Sequence, residues 1–389
     1  ATNSASGNAY TNGHAGLADE LRPSVTYMPG SGRALFGGGY APSANDVIGL
    51  VNIPTLGNAV DFGNLAVATA ASAGASSLTR ALYSGGVQGG TGSGSDVNQI
   101  QAIEFASLGN AFDFGDITST CYKSSGLASS TRGICVNGNS DGATNVIDYI
   151  TMASAGNATD FGNQTTARFT VGCCGSPTRG VMGGGSTPSL SNIIDYITIA
   201  ATGNATDFGD LAAAIRDLNA SGSSVRGVWM GGSVPGASDV IQYVTIASTG
   251  NTTDFGDLSN TPYYPAGAAS KTRGLIAGGD NLGTRTNVIQ YVTIANTGNS
   301  TDFGDLSNSV NQLNGSGSNT RAIFGGGYAS ANLNVIEYVT IASTGNATDF
   351  GDLSTNIALL LTKTLKENPL KIAEKVTSKL QNQKPRDIN

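Results

Sequence analysis

Thr206-Asp207-Phe208-Gly209-Asp210-Leu211 recurs unchanged as Thr253-Asp254-Phe255-Gly256-Asp257-Leu258 and Thr348-Asp349-Phe350-Gly351-Asp352-Leu353, and this phrase decides the fold. With looser copies included, it occurs seven times, and the first aspartates of the copies are Asp61, Asp113, Asp160, Asp207, Asp254, Asp302 and Asp349. Successive copies are 52, 47, 47, 47, 48 and 47 residues apart. One unit of about 47 residues is therefore repeated seven times along the 389-residue chain.

An arginine recurs with the same period as this phrase. It precedes the aspartate by 28 residues in five units, by 33 in the second and by 29 in the sixth. The arginines are Arg33, Arg80, Arg132, Arg179, Arg226, Arg273 and Arg321. Arginines and aspartates in such a fixed register favour a structural role, either as repeated ion pairs or as hydrogen bonds that anchor the backbone. The functional alternative is a ring of arginines lining a central anion channel.

Each unit reads as a series of short strands. In the unit that begins at Arg273, an apolar run ends in Gly278-Gly279, and a β-branched run follows over residues 287–295. A Thr297-Gly298-Asn299 turn then leads to the strand that carries Asp-Phe-Gly. With a weaker stretch before the next arginine, the unit has four strands and no helical period. The sequence therefore predicts an all-β chain whose residues 33–353 form a seven-bladed β-propeller.

The unit resembles a kelch-type repeat. That family's pattern is an arginine, an apolar strand that ends in a glycine pair, then a tyrosine and then an aromatic residue. In the fifth unit these positions are Arg226, Gly231-Gly232, Tyr243 and Phe255. The chain departs from the pattern in three ways: phenylalanine replaces the usual tryptophan, Leu50 and Ala102 stand at the tyrosine position of the first two units, and the third unit offers Gly138-Asn139 as its pair. The resemblance implies a kelch-like β-propeller.

The tandem Thr-Arg-Gly, Gly-Gly, Tyr and Asp-Phe-Gly-Asp-Leu units also resemble virion structural proteins, tail or fibre, of tailed phages, especially marine bacteriophages. This resemblance implies a non-enzymatic virion protein, a tail, fibre or decoration component that presents a propeller for binding to other proteins or to a host surface. Its partners would be other virion proteins, further copies of the chain, or a host glycan or receptor. The alternative is a carbohydrate-binding lectin or adhesin, extracellular or on a cell surface, for which Tyr263-Tyr264 and Trp229 would supply aromatic platforms.

Composition speaks against most catalytic chemistry. A single histidine, His14, cannot supply a copper site or a credible Ser-His-Asp arrangement. The chain has no phosphate-binding loop, and its net charge of −7 argues against a nucleic-acid partner. No apolar run is long enough to span a membrane. We therefore expect no enzyme activity, no cofactor and no bound metal.

Two local features allow a second interpretation. The string over residues 137–142, with Asp148 at the twelfth position, loosely follows a calcium-binding loop, although a polar turn explains it as well. The four cysteines are Cys121, Cys135, Cys173 and Cys174. Their spacing does not suit a metal site, so we expect buried thiols, with a bridge between Cys121 and Cys135 as the alternative.

Glycosylation sequons recur directly after the turn glycine, as at Asn204-Ala205-Thr206, and the turn accounts for them without a glycan. The stretches after the glycine pairs differ most between units, for example residues 87–96, 233–238 and 280–286. Equivalent loops of a propeller emerge on one face, so we expect binding specificity to lie there.

The two ends of the chain depart from the repeat. Residues 1–32 contain a stretch that stands before Arg33 as other segments stand before later arginines, and we expect it to close the last blade. Residues 354–389 form a basic tail for which we expect an amphipathic helix. The apolar face of this helix, predicted to bind a partner, comprises Leu365, Ile372, Val376 and Leu380. Packing against its own propeller and contact with a membrane surface are the alternatives.

Overall fold

The computed structural model describes residues 32–352, except residues 40–43, 56, 78, 89–94, 106–108, 140–141 and 235. Every regular element in the described residues is a β-strand. These residues therefore offer no helix that could cross a membrane. The strands form seven successive antiparallel sheets, of which six have four strands and the sheet nearest the N-terminus has three.

Each four-stranded sheet is built from strands that follow one another in the chain, and we number them first to fourth. The first strands are β4 (Ala73–Ser76), β8 (Ser125–Ala128), β12 (Gly172–Gly175), β18 (Asn219–Gly222), β24 (Ala266–Ala269) and β30 (Asn314–Gly317). The second strands, each opened by the repeated arginine, are β1 (Arg33–Gly37), β5 (Arg80–Ser84), β9 (Arg132–Val136), β13 (Arg179–Gly183), β19 (Arg226–Met230), β25 (Arg273–Ala277) and β31 (Arg321–Gly325).

The outer half of each sheet is equally regular. The third strands are β2 (Val47–Asn52), β6 (Gln99–Glu104), β10 (Val146–Thr151), β16 (Ile193–Thr198), β22 (Val240–Thr245), β28 (Val288–Thr293) and β32 (Val335–Thr340). The fourth strands, which carry Asp-Phe-Gly, are β3 (Val60–Asn64), β7 (Phe112–Asp116), β11 (Thr159–Asn163), β17 (Thr206–Asp210), β23 (Thr253–Asp257), β29 (Thr301–Asp305) and β33 (Thr348–Asp352). Short hairpins join the second and third strands of blades four to six: β14 (Ser186–Thr187) with β15 (Ser189–Leu190), β20 (Ser233–Val234) with β21 (Gly236–Ala237), and β26 (Asp280–Asn281) with β27 (Thr284–Arg285).

The first strands surround the axis of the molecule, because each contacts the first strand of the adjacent blade from β4 round to β30. Small residues make this convergence possible. A Cβ on Gly126 would lie 2.3 Å from the carbonyl oxygen of Gly74 in the neighbouring blade, and a Cβ on Gly315 would lie 2.1 Å from that of Gly267. The fourth strands lie at the outer edge, where their first two residues are exposed.

The hydrophobic core lies between adjacent blades. In one cluster, Ala268 and Phe303 of blade six pack with Phe324 and Val339 of blade seven. The tyrosine of a third strand meets the phenylalanine of the same blade's fourth strand edge to face, as in Tyr291 and Phe303, whose ring centroids are 5.7 Å apart. Each blade thus needs its neighbours to bury its apolar faces.

Blade seven packs directly on blade one, which closes the ring. Phe36 and Ile53 of the first blade share a buried cluster with Ile323 and Phe350 of the last. The backbone N–H of Gly57 donates to the carbonyl of Phe350 over 3.2 Å. The predicted seven-bladed β-propeller is therefore confirmed.

The sheets also show where a blade begins. The segment before each arginine belongs to the same sheet as that arginine, so the sheet of Arg321 has four strands of its own, opened by β30. Blade seven therefore lacks no strand for residues 1–32 to supply, which removes the reason for expecting them to close it. Blade one has three strands in the described residues. Residues 1–31 and the helical tail of residues 354–389, including Leu365, Ile372, Val376 and Leu380, lie outside the described residues, and the tail stays a prediction.

Candidate functional site

The two ends of the strands give the propeller two unlike faces. We call the end with the turns between first and second strands and between third and fourth strands the turn face. The loop face carries the loops between second and third strands, together with the segments that lead into each first strand. In a four-stranded antiparallel blade these two kinds of connection must lie at opposite ends.

The repeated arginines lie at the turn face and link each blade to the next. The Nη1 of Arg226, at the start of β19, donates to the carbonyl of Ile294 just after β28 over 2.9 Å. The same bond is repeated around the ring: Arg33 to Phe105, Arg80 to Met152, Arg132 to Ile199, Arg179 to Ile246, Arg273 to Ile341 and Arg321 to Ile53. The last of these bonds joins blade seven to blade one. The arginines therefore lie between blades, and they do not line an axial anion channel.

Six of the seven arginines, all but Arg33, also stack on an aromatic ring of their own blade. The Cζ of Arg226 lies 4.5 Å from the ring centroid of Tyr243. Blade two has Ala102 at the tyrosine position, and there Arg80 lies over Phe114 at 5.2 Å and pairs with Glu104 through Nε at 2.6 Å. Of the two units without the tyrosine, the second thus holds its arginine by other contacts.

The repeated aspartates bind backbone. The carboxylate of Asp207 accepts a hydrogen bond from the N–H of Gly209, two residues on, over 3.2 Å. The same bond is made by Asp113, Asp160, Asp254, Asp302 and Asp349. Of the two roles that the sequence left open, these described contacts are backbone hydrogen bonds. They shape the fourth strand around a glycine with positive φ.

The asparagine of each third-to-fourth turn is bonded across the joint. The side-chain oxygen of Asn251 accepts the N–H of Asp210 in the preceding blade over 3.1 Å. The bond recurs in six further joints, with Asn110, Asn157, Asn204, Asn299, Asn346 and Asn58 as acceptors. The sequon asparagines therefore have a structural use at the turn, and the sequence had not indicated this contact between blades.

A buried polar residue in the middle of the third strand forms another link, which the sequence analysis missed. The side-chain oxygen of Gln242 accepts the N–H of Ala212, in the segment that leaves blade four, over 2.8 Å. Equivalent bonds are made by Gln101, Asp148, Asp195, Gln290 and Glu337. The available signal was the register of Asp148 with Asp195, Gln242 and Glu337, but these residue types share only an acceptor oxygen.

One of these acceptors has a charged partner. Arg168 and Asp195 form an ion pair with both side chains 0% exposed and 2.6 Å between Nη2 and the carboxylate. Thr165 donates to the same carboxylate through its hydroxyl at 2.6 Å. Because a buried charge needs several partners, this network ties the segment after β11 to blade four.

The calcium-like string does not supply a free carboxylate. Asp148 is fully buried and accepts hydrogen bonds from Thr118 and from the side chain of Asn137 over 3.0 Å. Asn137 and Gly138, rather than Gly138 and Asn139, take the position of the glycine pair, because the N–H of Asn137 bonds Val146 as that of Gly184 bonds Ile193. In the described residues no group of three potential ligands is placed to hold a metal.

The four cysteines are buried free thiols, and no bridge joins Cys121 to Cys135. The hydrogen bond that Cys135 donates to Cys121, together with burial, holds the pKa of Cys135 well above its ordinary range. Burial raises the pKa of Cys173 to about 12. The thiols of Cys135, Cys173 and Cys174 therefore stay protonated at neutral pH, whereas the hydrogen bond with Cys135 lowers the pKa of Cys121.

The loop face differs from blade to blade. At the entrance to each first strand, one residue bridges to the loop of the same blade, as Phe169 to Ser186 and Tyr263 to Asp280. The next residue has a positive φ although it is not glycine, and these residues are Ala71, Lys123, Thr170, Asp217, Tyr264 and Gln312, with φ between 55° and 59°. These residues share no side-chain chemistry, so the sequence could not predict their positive φ. The same backbone conformation recurs with unrelated side chains, so tertiary contacts impose it.

Comparison with known families gives one short match. Residues 328–388 are similar to the family described as arginyl tRNA synthetase N terminal domain. The stretch includes β32 and β33 of blade seven, and the remainder lies beyond Asp352, outside the described residues. It covers a small part of the chain and does not establish a family. No curated protein matches the chain.

Proposed function

We propose that the chain is a non-enzymatic structural protein of a virus particle, a tail, fibre or decoration component that presents its loop face to a protein or a host surface. The observation that carries the proposal is that the two faces differ: one holds the repeated bonds between blades, and the other holds the variable loops. The seven arginine bonds and seven asparagine bonds between blades all lie on the turn-face side. The loops of the other face are left to vary in sequence, length and charge.

The buried polar groups support a structural protein. The carboxylates of Asp148 and Asp195 are engaged by Thr118, Asn137, Thr165 and Arg168, within joints between blades. Their chemistry is used to hold backbone. The resemblance of the repeated sequence motifs to kelch repeats and to phage virion proteins agrees with a propeller used for binding in the virion.

The basic tail is the proposed anchor. Leu365, Ile372, Val376 and Leu380 would form one apolar face that binds another virion protein or a further copy of the chain. Acidic partner surfaces would complement the lysines around that face. The loop face would then point away from the particle.

The test has two parts. Mass spectrometry and immunogold labelling of purified virus particles should find the chain on a tail, fibre or outer surface. Cutting the chain after Leu353, or changing Ile372 and Val376 to Asp, should then leave the propeller folded but absent from particles. Changing Ser378 and Gln381 to Asp adds the same charge on the opposite side of the proposed helix and should not matter. Normal incorporation of the truncated chain would refute the anchor, and absence of the chain from particles would refute the virion role.

A second candidate function, a lectin or adhesin on a cell surface, is favoured by the tyrosines of the loop face. Tyr263 and Tyr264 have ring centroids 5.1 Å apart, and Tyr328 of the next blade is exposed. Trp229, the other expected aromatic platform, is fully buried and donates its indole N–H to the carbonyl of Gly172. Labelling of cell surfaces in place of particles would support this second function.

A further inference from the structure

The loop face of blades six and seven carries a compact aromatic and cationic cluster, which we call the tyrosine patch. It comprises Tyr263 and Tyr264, which lead into β24, Arg285 in β27, and Tyr328 after β31. The guanidinium carbon of Arg285 lies 4.7 Å from the ring centroid of Tyr328. Leu282, in the hairpin beside Arg285, is 71% exposed, and Tyr328 is 37% exposed. The patch is therefore open to solvent.

Carboxylates fix the two adjacent tyrosines. The hydroxyl of Tyr263 donates to Asp280, and that of Tyr264 donates to Asp217. Both carboxylates belong to residues that are buried. Burial, and then these carboxylates, raise the pKa of both tyrosines, so the hydroxyls stay protonated. The rings of Tyr263 and Tyr264 are thereby uncharged and fixed in position by their hydroxyl groups.

The arginine is held as firmly as the rings. Its Nε donates to the side-chain oxygen of Asn311 over 3.4 Å, while its flat face covers Tyr328. These two contacts involve neither of its terminal amino groups, which remain as donors toward the patch. Arg285 pairs with Asp280 in the β26–β27 hairpin, and Asp280 in turn pairs with Tyr263.

The backbone beneath the patch is set in advance. Tyr264 has a φ of 55°, a conformation that a bulky residue adopts rarely, and its carbonyl accepts the N–H of Gln312 in the next blade over 3.0 Å. Tyr263 and Asp280 exchange two backbone hydrogen bonds of 3.0 and 2.8 Å. Little conformational freedom is left for a ligand to remove on binding.

We propose that the tyrosine patch is a carbohydrate-binding site that takes one pyranose residue of a glycan. The C–H face of a sugar ring would pack on the electron-rich face of a tyrosine, since aromatic faces attract positively polarised hydrogens. The ring hydroxyls would meet the terminal amino groups of Arg285 and the phenolic hydroxyl of Tyr328, the polar groups that would orient a ligand at this surface. The inference rests on the proposed use of the loop face for binding.

A protein partner fits the patch less well. Specific protein interfaces bury about 800 Å² on each partner around apolar anchors. Of the five exposed large apolar side chains in the part of the chain that the structure describes, Leu282 and Tyr328 lie here, and the others are Val60, Phe112 and Val225. Small area, tyrosines and paired polar groups suit a sugar better.

The test uses the full chain and defined sugars. Saturation-transfer NMR with galactose, N-acetylglucosamine and glucuronic acid, followed by a glycan array, should detect binding to at least one sugar. Tyr328→Ala and Arg285→Gln should each weaken it by about tenfold or more, the effect of removing one aromatic or charged contact. Phe112→Ala removes an exposed aromatic from the outer strand β7 and should leave binding unchanged. Thermal melts of all variants should match that of the parent chain, since each site is at the surface.

Three results would overturn the proposal: no sugar binds, the patch variants bind as the parent does, or the same variants abolish capture of a protein partner instead. None of these outcomes bears on incorporation of the chain into particles. Failure of the sugar site can therefore be told apart from failure of the virion role.

Discussion

At the scale of single residues, arginine suits the blade joint better than lysine would. Its guanidinium lies flat on Tyr243 while Nη1 of Arg226 reaches the carbonyl of Ile294, 68 residues further along the chain. A lysine ammonium is a point charge on a flexible stem and cannot stack and donate at the same time in this way. Both contacts are made at six of the seven positions, where the requirement for both explains the use of arginine.

Arg226→Lys should lower the free energy of unfolding by about 1–2 kcal/mol, because one charge-assisted hydrogen bond and one cation–π contact are lost or weakened. Urea denaturation followed by circular dichroism measures the change. Lys271→Ala, an exposed residue beside the Arg273 joint, is the matched control and should stay within about 0.5 kcal/mol. Equal effects of the two substitutions would contradict the role of the joint.

Glu337 is a second residue whose environment has a measurable consequence. Burial raises its pKa above the ordinary value of 4.5, against the opposing hydrogen bond from the N–H of Ser307. As pH rises from the unfolded-state pKa of Glu337 to its higher folded-state pKa, the unfolded chain loses its proton before the folded chain does. The folded state is therefore most favoured at the acid end, and stability falls until the folded-state pKa is passed.

Glu337→Gln should accordingly raise the melting temperature at pH 7 and flatten its dependence on pH between 4 and 7, since an amide oxygen can still accept from Ser307. The reciprocal Gln242→Glu should lower the melting temperature at pH 7 and introduce such a dependence. Melts across this pH range compare the three proteins. A pH profile that is the same for Glu337→Gln and the parent chain would rule out the explanation.

At the scale of elements, the turn between the third and fourth strands of one blade forms backbone hydrogen bonds with the outer strand of the preceding blade. The N–H of Gly250 donates to the carbonyl of Phe208 over 2.7 Å, and the N–H of Thr252 donates to that of Asp210 over 2.9 Å. This pairing covers the edge of β17, which would otherwise be open to aggregation. It also brings two glycines together, because a Cβ on Gly209 would lie 2.4 Å from the carbonyl oxygen of Gly250.

Gly209→Ala should therefore be about 1–3 kcal/mol more destabilising than Gly250→Ala. Both positions have positive φ, 143° and 155°, so the strain of adding a Cβ to that backbone is shared. They differ in space, since a Cβ on Gly250 meets nothing within 4 Å. Chemical denaturation of the two variants gives the difference directly, and similar losses would mean that backbone strain outweighs the close approach.

At the scale of the whole molecule, one joint differs from the rest. Blades one to seven are linked in sequence by the chain, whereas blade seven meets blade one through contacts alone in the described residues. Those contacts repeat the usual set: Arg321 to Ile53, Asn58 to Asp352, and Gly57 to Phe350. Local opening should therefore begin at this joint.

Arg321→Ala should speed hydrogen exchange of the amides of Gly57 and Ala59, which bond to blade seven. Arg226→Ala removes the same contact from the joint between blades five and six, where the chain itself limits separation. Its effect on the amides of Gly298 and Ser300 should be clearly smaller. Native-state exchange read by mass spectrometry compares the pairs, and equal acceleration would show that chain continuity does not matter to the opening.

The architecture could be predicted from sequence because the repeat sets strand number, blade number and register together. The fixed distance from Arg226 to Asp254 places both residues in one sheet, and the structure agrees. What the arginines bond to could not be predicted, because their acceptors are carbonyls, and any residue supplies one. The start of each blade was predicted wrongly, because the sequence pattern grouped the segment before an arginine with the preceding unit. That segment is instead the first strand of the sheet that contains the arginine.

The candidate site was predictable only in part. Variable loops and the pair Tyr263-Tyr264 stand out in the sequence, but their meeting with Arg285 and Tyr328 depends on how blades six and seven pack. The left-handed backbone of Tyr264 has no sequence signal, because Ala71 and Lys123 adopt the same conformation in other blades. Tertiary contacts, rather than residue type, impose it.

The direction of the arginine bonds has a consequence for how such a molecule can arise. Every blade offers its guanidinium to one neighbour and its carbonyl to the other, so the contact is between unlike surfaces, as in a head-to-tail oligomer. Such contacts do not stop at a dimer; they continue until the rotation per unit closes a ring. A short ancestral chain of one or two units could have assembled from separate copies, and later gene duplication would have joined the copies without inventing a new surface.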